Sequence, residues 1–129
     1  TAVGDNQEIK VLIKSEKPIS VMGDEVLLRQ TFTNLFINAA DAMPGGGTLT
    51  VELNDFQDKA KITVHDTGYG IPEDIKHKIF LPFYTTKQKG IGLGLAIAQK
   101  IIISHGGSIE VDSKEGEGTT FRIILPAMA

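Results

Sequence analysis

The chain has 129 residues, 41% of them apolar, and a formal charge of −3 with histidine neutral. That length suits a single domain over residues 1–129, burying about two-thirds of its unfolded surface; the mild acidity offers no electrostatic footprint for nucleic acid. With no cysteine, disulfides and thiolate chemistry are excluded; with no apolar run near the ~18 residues of a membrane span and no signal-peptide layout, this fragment is expected to be cytoplasmic and to make no membrane contact, whether its parent protein is cytoplasmic or membrane-anchored.

Residues 8–14 alternate as a strand, and residues 19–22 suggest a second, shorter one. Gly23-Asp24 then punctuates, and the Asp24 carboxylate can accept the first free N–H groups of a helix. Helical periodicity runs over 26–43 and stops at Pro44-Gly45-Gly46-Gly47, which cannot continue a helix. Residues 48–53 and 60–64 alternate as two strands of a hairpin, joined by the polar segment 54–59. Pro72 opens a short helix to about Phe80, proline being tolerated in a first turn. A polar, irregular stretch covers 82–90. An apolar helix over 93–104 closes at His105-Gly106-Gly107, glycine being a common left-handed terminator. Residues 108–112 and 119–125 form a last hairpin around Glu115-Gly116-Glu117-Gly118. Paired strands interrupted by helices do not follow the βαβα alternation of a doubly wound sheet. The expected fold is an α/β two-layer sandwich, with a mixed, mostly antiparallel sheet of about five strands and helices on one face.

Three segments carry chemistry. On the first helix Asn34 and Asp41 fall within about 60 degrees of Asn38, while Leu35, Phe36, Ile37, Ala39 and Ala40 fill nearly every other direction. A stripe that narrow suits a polar crevice, though a thin solvated edge or a hydrogen-bonded core pair fits as well. Asparagine carbonyls are hard oxygen ligands suited to magnesium. Asp66-Thr67-Gly68-Tyr69-Gly70 follows a strand: its glycines permit close approach of backbone to a flat ligand, and Asp66 can accept from an exocyclic amine. A plain glycine turn reads equally well. Gly90-Ile91-Gly92-Leu93-Gly94 precedes a helix and can offer successive N–H groups to an anion, or serve as a hinge. It is neither a dinucleotide fingerprint nor a Walker A loop. His65, His77 and His105 have no metal-ligand spacing and read as structural, His105 suiting a helix C-terminus as a partly positive ring.

Taken in order, these segments resemble the catalytic domain of two-component sensor histidine kinases, within the Bergerat-fold ATPase superfamily. Residues 34–40 resemble the N box, 66–71 the first glycine box, 80–87 the F box (Phe80-Leu81-Pro82-Phe83-Tyr84-Thr85-Thr86-Lys87), and 90–95 the second glycine box. Gly116-Glu117-Gly118-Thr119-Thr120-Phe121, running to Leu125-Pro126, resembles the closing hairpin. The resemblance implies ATP and Mg2+ as cofactors. Asn38 then ligates the metal, with Asn34 beside it. Lys87 reaches the γ-phosphate, which makes Asn34, Asn38 and Lys87 the implied catalytic residues. Asp66 meets the adenine amine with Thr119 nearby, and Gly68, Gly70 and Ile71 wall the pocket. Gly90, Ile91, Gly92, Leu93 and Gly94 line the phosphates, and Asp41 extends the nucleotide site.

Departures from the family pattern bear on function. Asp41 stands where many members carry a basic residue, and Ile91 replaces a frequent hydroxyl residue. No histidine lies in a phosphoacceptor motif, which implies an acceptor-histidine dimerisation domain as partner and a response regulator beyond it. Relatives that hydrolyse ATP or phosphorylate serine place a glutamate four residues before the metal asparagine. Here that position is Asn34, and an amide cannot take a proton from water or serine. A histidine kinase domain is therefore expected ahead of a serine kinase or ATPase, and ahead of a pseudokinase that only binds.

Overall fold

The computed structural model describes residues 8–15, 18–81 and 94–127. Five strands form one sheet: β1 (Ile9–Ser15), β2 (Gly47–Phe56), β3 (Lys59–Asp66), β4 (Ser108–Lys114) and β5 (Gly118–Pro126), in spatial order β1-β2-β3-β5-β4. β1 runs parallel to β2, and every other neighbour is antiparallel. Two helices, α1 (Glu25–Asp41) and α2 (Gly94–Ser104), supply the second layer. The mixed, mostly antiparallel sandwich expected from the pattern is the fold observed.

Strand alternation decides which side the helices cover. Leu49, Val64, Phe121, Ile123, Leu125 and Ile109 are buried on one face, against Leu35 and Ala39 of α1, Met43 just beyond its end and Ile102 of α2. Their neighbours one residue along point away: Thr50, Glu52, Lys61, Thr63, Arg122, Glu110 and Asp112 form a polar face. Arg122 pairs with Asp112 across it at 3.8 Å.

Local chemistry explains most element ends. The Asp24 side chain accepts from the Leu27 N–H at 3.0 Å and caps α1, with Glu25 in the first turn. The helix ends at Asp41, before the expected 43; Ala42 and Met43 donate to α1 carbonyls in a final tightened turn. The β2–β3 connection is shorter than the expected segment 54–59. Asn54 and Asp55 continue the ladder opposite Lys61 and Ala60, and only Gln57 and Asp58 turn, both left-handed at φ 52° and 63°. Such a turn matches the twist of two antiparallel strands, so the ladder runs up to it.

Two expected elements differ. Residues 19–22 form no strand; only Val21 bridges, to Ala127. β5 already has β3 on one side and β4 on the other, so this segment can reach only the end of its ladder. The short helix expected after Pro72 is present in the 3₁₀ form, Glu73–Lys78, and ends before the expected Phe80. His105 is not the charged cap its position suggested. Its Nε2 accepts the Asp24 N–H at 3.0 Å while Nδ1 donates to the Ile101 carbonyl at 2.8 Å, which requires a neutral ring. That ring ties the end of α2 to the start of α1. The irregular stretch expected over 82–90 lies outside the described residues.

Candidate functional site

The C-terminal ends of α1 and β3, with the β4–β5 hairpin, bring the chemistry-bearing residues to one edge of the sandwich. Asn34 and Asn38 are both half-buried on α1, one helical turn apart. The Asn34 Nδ2 donates to the Gly94 carbonyl at 3.2 Å, fastening α1 to the first residue of α2. That bond fixes the flip of the amide and turns its oxygen the other way. Asp41, at the last turn, is exposed. The apolar surround is less complete than the helical wheel implied. Leu35 and Ala39 face the core, but Phe36 and Ile37 are 37% and 51% exposed, so the asparagine stripe borders the core on one side only.

Asp66, the last residue of β3, is buried at 4% exposure. Its Oδ1 accepts from the Gly68 N–H at 2.9 Å, closing a tight turn. Burial pushes the carboxyl above its ordinary value; the Gly68 N–H, the charge of neighbouring His65 and a backbone hydrogen bond from Thr119 pull the other way. The two glycines of the turn are there for want of space. A Cβ on Gly68 would stand 2.3 Å from the Ala42 carbonyl oxygen, and one on Gly70, at φ +75°, 2.2 Å from that of Lys114. Main-chain bonds lock the turn from both sides: the Tyr69 N–H donates to Ala42 at 3.1 Å, and the Gly116 N–H to Tyr69 at 2.7 Å.

Register places Thr119 directly opposite Asp66 on β5, and Ser113 directly opposite Thr119 on β4. Cross-strand partners share a face, so these three polar side chains form a row on the helix-covered side. Thr119 is 4% exposed. The Ser113 hydroxyl accepts the Ile71 N–H at 2.8 Å, donates to the Gly118 carbonyl at 2.9 Å and lies 2.9 Å from the Thr119 hydroxyl. Ser113 went unread in the sequence, because nothing local distinguishes it from any serine on a strand. The signal was its register, opposite Thr119 in a hairpin of known turn.

Of the expected site residues, Asp66, Gly68, Gly70, Ile71 and Thr119 are brought together around one turn. Asn34 and Gly94 meet where α1 touches α2, with Asn38 one turn further along α1. Lys87, Gly90, Ile91, Gly92 and Leu93 lie outside the described residues. Among the described residues, no three or more histidine, cysteine or carboxylate side chains gather as a metal-holding group.

A sheet covered on one face, ending in a buried carboxylate under a glycine turn beside a helix with an asparagine stripe, defines a nucleotide-binding domain class. Residues 23–129 match the model of the histidine kinase-, DNA gyrase B-, and HSP90-like ATPase family, and the chain belongs to that family. It is homologous to the catalytic domains of sensor histidine kinases. Sporulation kinase A of Bacillus subtilis is 44% identical over 108 residues, 84% of this chain and 18% of that protein. Sensor histidine kinase ZraS of Salmonella typhi is 42% identical over 126 residues, 96% of this chain and 27% of that protein. Among solved structures, the mycobacterial sensor histidine kinase MprB superposes with a TM-score of 0.84 at 33% identity, covering 92% of this chain and 82% of that one. The catalytic domain of histidine kinase ThkA superposes at 0.81 with 36% identity, over 92% of this chain and 78% of that one. The chain thus spans about a fifth to a quarter of the length of these curated relatives.

Proposed function

We propose that this domain binds ATP with magnesium and transfers the γ-phosphoryl group to a histidine on the acceptor-histidine dimerisation domain of the same parent kinase, which then serves a response regulator. The observation that carries the reading is Asp66: a buried carboxylate held by the Gly68 N–H and by the backbone of Thr119, with lone pairs beyond those two bonds to offer an amine. Burial makes such a charge costly unless a ligand donor satisfies it, and the adenine 6-amino group is a donor of that kind.

The donor set fits magnesium. Asn34 and Asn38 offer hard amide oxygens from a half-buried helix face, and the Asn34 nitrogen is already committed to Gly94. A magnesium ion takes few protein ligands when phosphates supply the others; bound there, it neutralises phosphate charge. Asn38 is the proposed ligand and Asn34 the group that holds α1 against the start of α2. Lys87, by resemblance, carries its charge to the γ-phosphate. In the transfer, the imidazole lone pair of the acceptor forms an N–P bond as the β–γ bridging P–O bond breaks, and ADP leaves. A neutral imidazole needs no base to attack, which agrees with an amide at position 34. The work left to the domain is positioning and charge stabilisation.

Mixing the domain with the acceptor domain and radiolabelled ATP tests the reading. The expected product is an acid-labile, base-stable phosphoramidate on the acceptor, with little hydrolysis by the domain alone. An acid-stable phosphoester on serine, or rapid hydrolysis without an acceptor, refutes it.

A further inference from the structure

We infer that Ser113 sets the direction of the Thr119 hydroxyl proton, and that this makes the pocket selective for a 6-amino over a 6-oxo purine. The inference rests on the nucleotide-binding reading and adds to it a residue one strand beyond the Asp66–Thr119 pair.

The protons available to Ser113 and Thr119 are few enough to count. A serine hydroxyl has one hydrogen and two lone pairs. The Ile71 N–H can only donate, so it occupies one lone pair of Ser113 Oγ at 2.8 Å. The Gly118 carbonyl can only accept, so at 2.9 Å it takes the one hydrogen. The contact with Thr119 Oγ1 at 2.9 Å then has a single solution: Thr119 donates into the second lone pair. Were Ser113 to donate to Thr119 instead, its oxygen and that of Gly118 would face each other with no hydrogen between. Three partners therefore saturate Ser113 and spend the only proton of Thr119.

What remains on Thr119 is acceptor capacity alone. It stands opposite Asp66 in the ladder and on the same face, and an ionised Asp66 is likewise acceptor-only. The 6-amino group of adenine has two hydrogens to offer to such a pair. The 6-oxo group of hypoxanthine or guanine has none, and would place an oxygen against lone pairs at a buried position. A site whose polar groups are left unpaired by the wrong ligand discriminates strongly. Neither Asp66 nor Thr119 explains why Thr119 cannot simply rotate and donate to a 6-oxo group; Ser113 does.

The test compares ATP and inosine triphosphate binding, by calorimetry, in the intact domain and its variants. Ser113→Ala frees the Thr119 proton and should lower the ATP:ITP affinity ratio about five- to tenfold, the scale of one neutral hydrogen bond gained or lost. Ser113→Thr keeps the hydroxyl and should restore the ratio. Thr119→Val, which keeps the shape and removes the oxygen, should lower the ratio as well. In that background Ser113→Ala should change it no further. Equal weakening of both nucleotides by Ser113→Ala, an unchanged ratio, or additive effects of the two substitutions overturns the inference. If Asp66→Asn leaves ATP binding intact, the nucleotide reading itself fails; a loss there with an unmoved Ser113→Ala ratio overturns only the role of Ser113.

Discussion

Replacing Asp66 by asparagine changes one oxygen into an NH2 group and nearly nothing else in shape. The oxygen that accepts the Gly68 N–H at 2.9 Å has its equivalent in the amide carbonyl, so the turn can keep its closing bond. The other position becomes a donor facing the proposed adenine amine. Losing one charge-assisted hydrogen bond costs about 1.5–3 kcal/mol, or roughly 10- to 150-fold in Kd for ATP. Calorimetric titration of both proteins measures it directly. A second, ligand-free readout comes from the raised pKa. Because burial lifts the Asp66 carboxyl above its unfolded value, the native state binds the proton more tightly than the unfolded chain does. The stability cost of the ionised carboxylate is then complete above the folded pKa and vanishes below the unfolded one. Melting curves of parent and variant should therefore converge or cross in the parent's favour as pH falls through that window, since the asparagine does not titrate. Equal ATP affinity refutes the adenine contact. A parent that loses stability relative to the variant on acidification refutes the desolvation argument.

Asn38→Ala should weaken Mg-ATP far more than metal-free nucleotide, by titrations with and without the metal; equal weakening would leave Asn38 a structural residue. Gly70→Ala forces a side chain into φ +75° and against the Lys114 carbonyl, so it should cost more than the about 1–2 kcal/mol of left-handed strain alone in urea unfolding. Gly116→Ala, at φ +84° with open space around it, should cost only that strain, and a matching loss at both sites would deny the close packing of the glycine turn. Asp24→Ala removes the cap on α1 and should destabilise by about 1 kcal/mol in the same assay, with nucleotide affinity at saturating stability unchanged.

Much of this molecule was legible along the chain because its signals are local. The residue pattern marked all five strands of the sheet, and Asp24, Pro44 and Gly106 marked helix ends through the local chemistry each residue permits. The order of the asparagine and glycine segments carried the family, and the alternation before Asp66 placed it at a strand end, where it accepts the Gly68 N–H. What the chain could not reveal was decided by pairing. Residues 19–22 look like a strand, yet they meet the sheet only at the end of β5, which β3 and β4 already flank; Asn54 and Asp55 look like loop, yet the left-handed Gln57-Asp58 turn carries the ladder through them. His105 seemed suited to a charge, until the fold set the Asp24 N–H against its second nitrogen and made it an acceptor. Ser113 is the extreme case. Its sequence neighbourhood is silent, and its three hydrogen bonds exist only because strands β3, β5 and β4 lie side by side in one register. Propensity and capping act within a few residues of chain, whereas the direction of a shared proton depends on groups up to 42 residues apart.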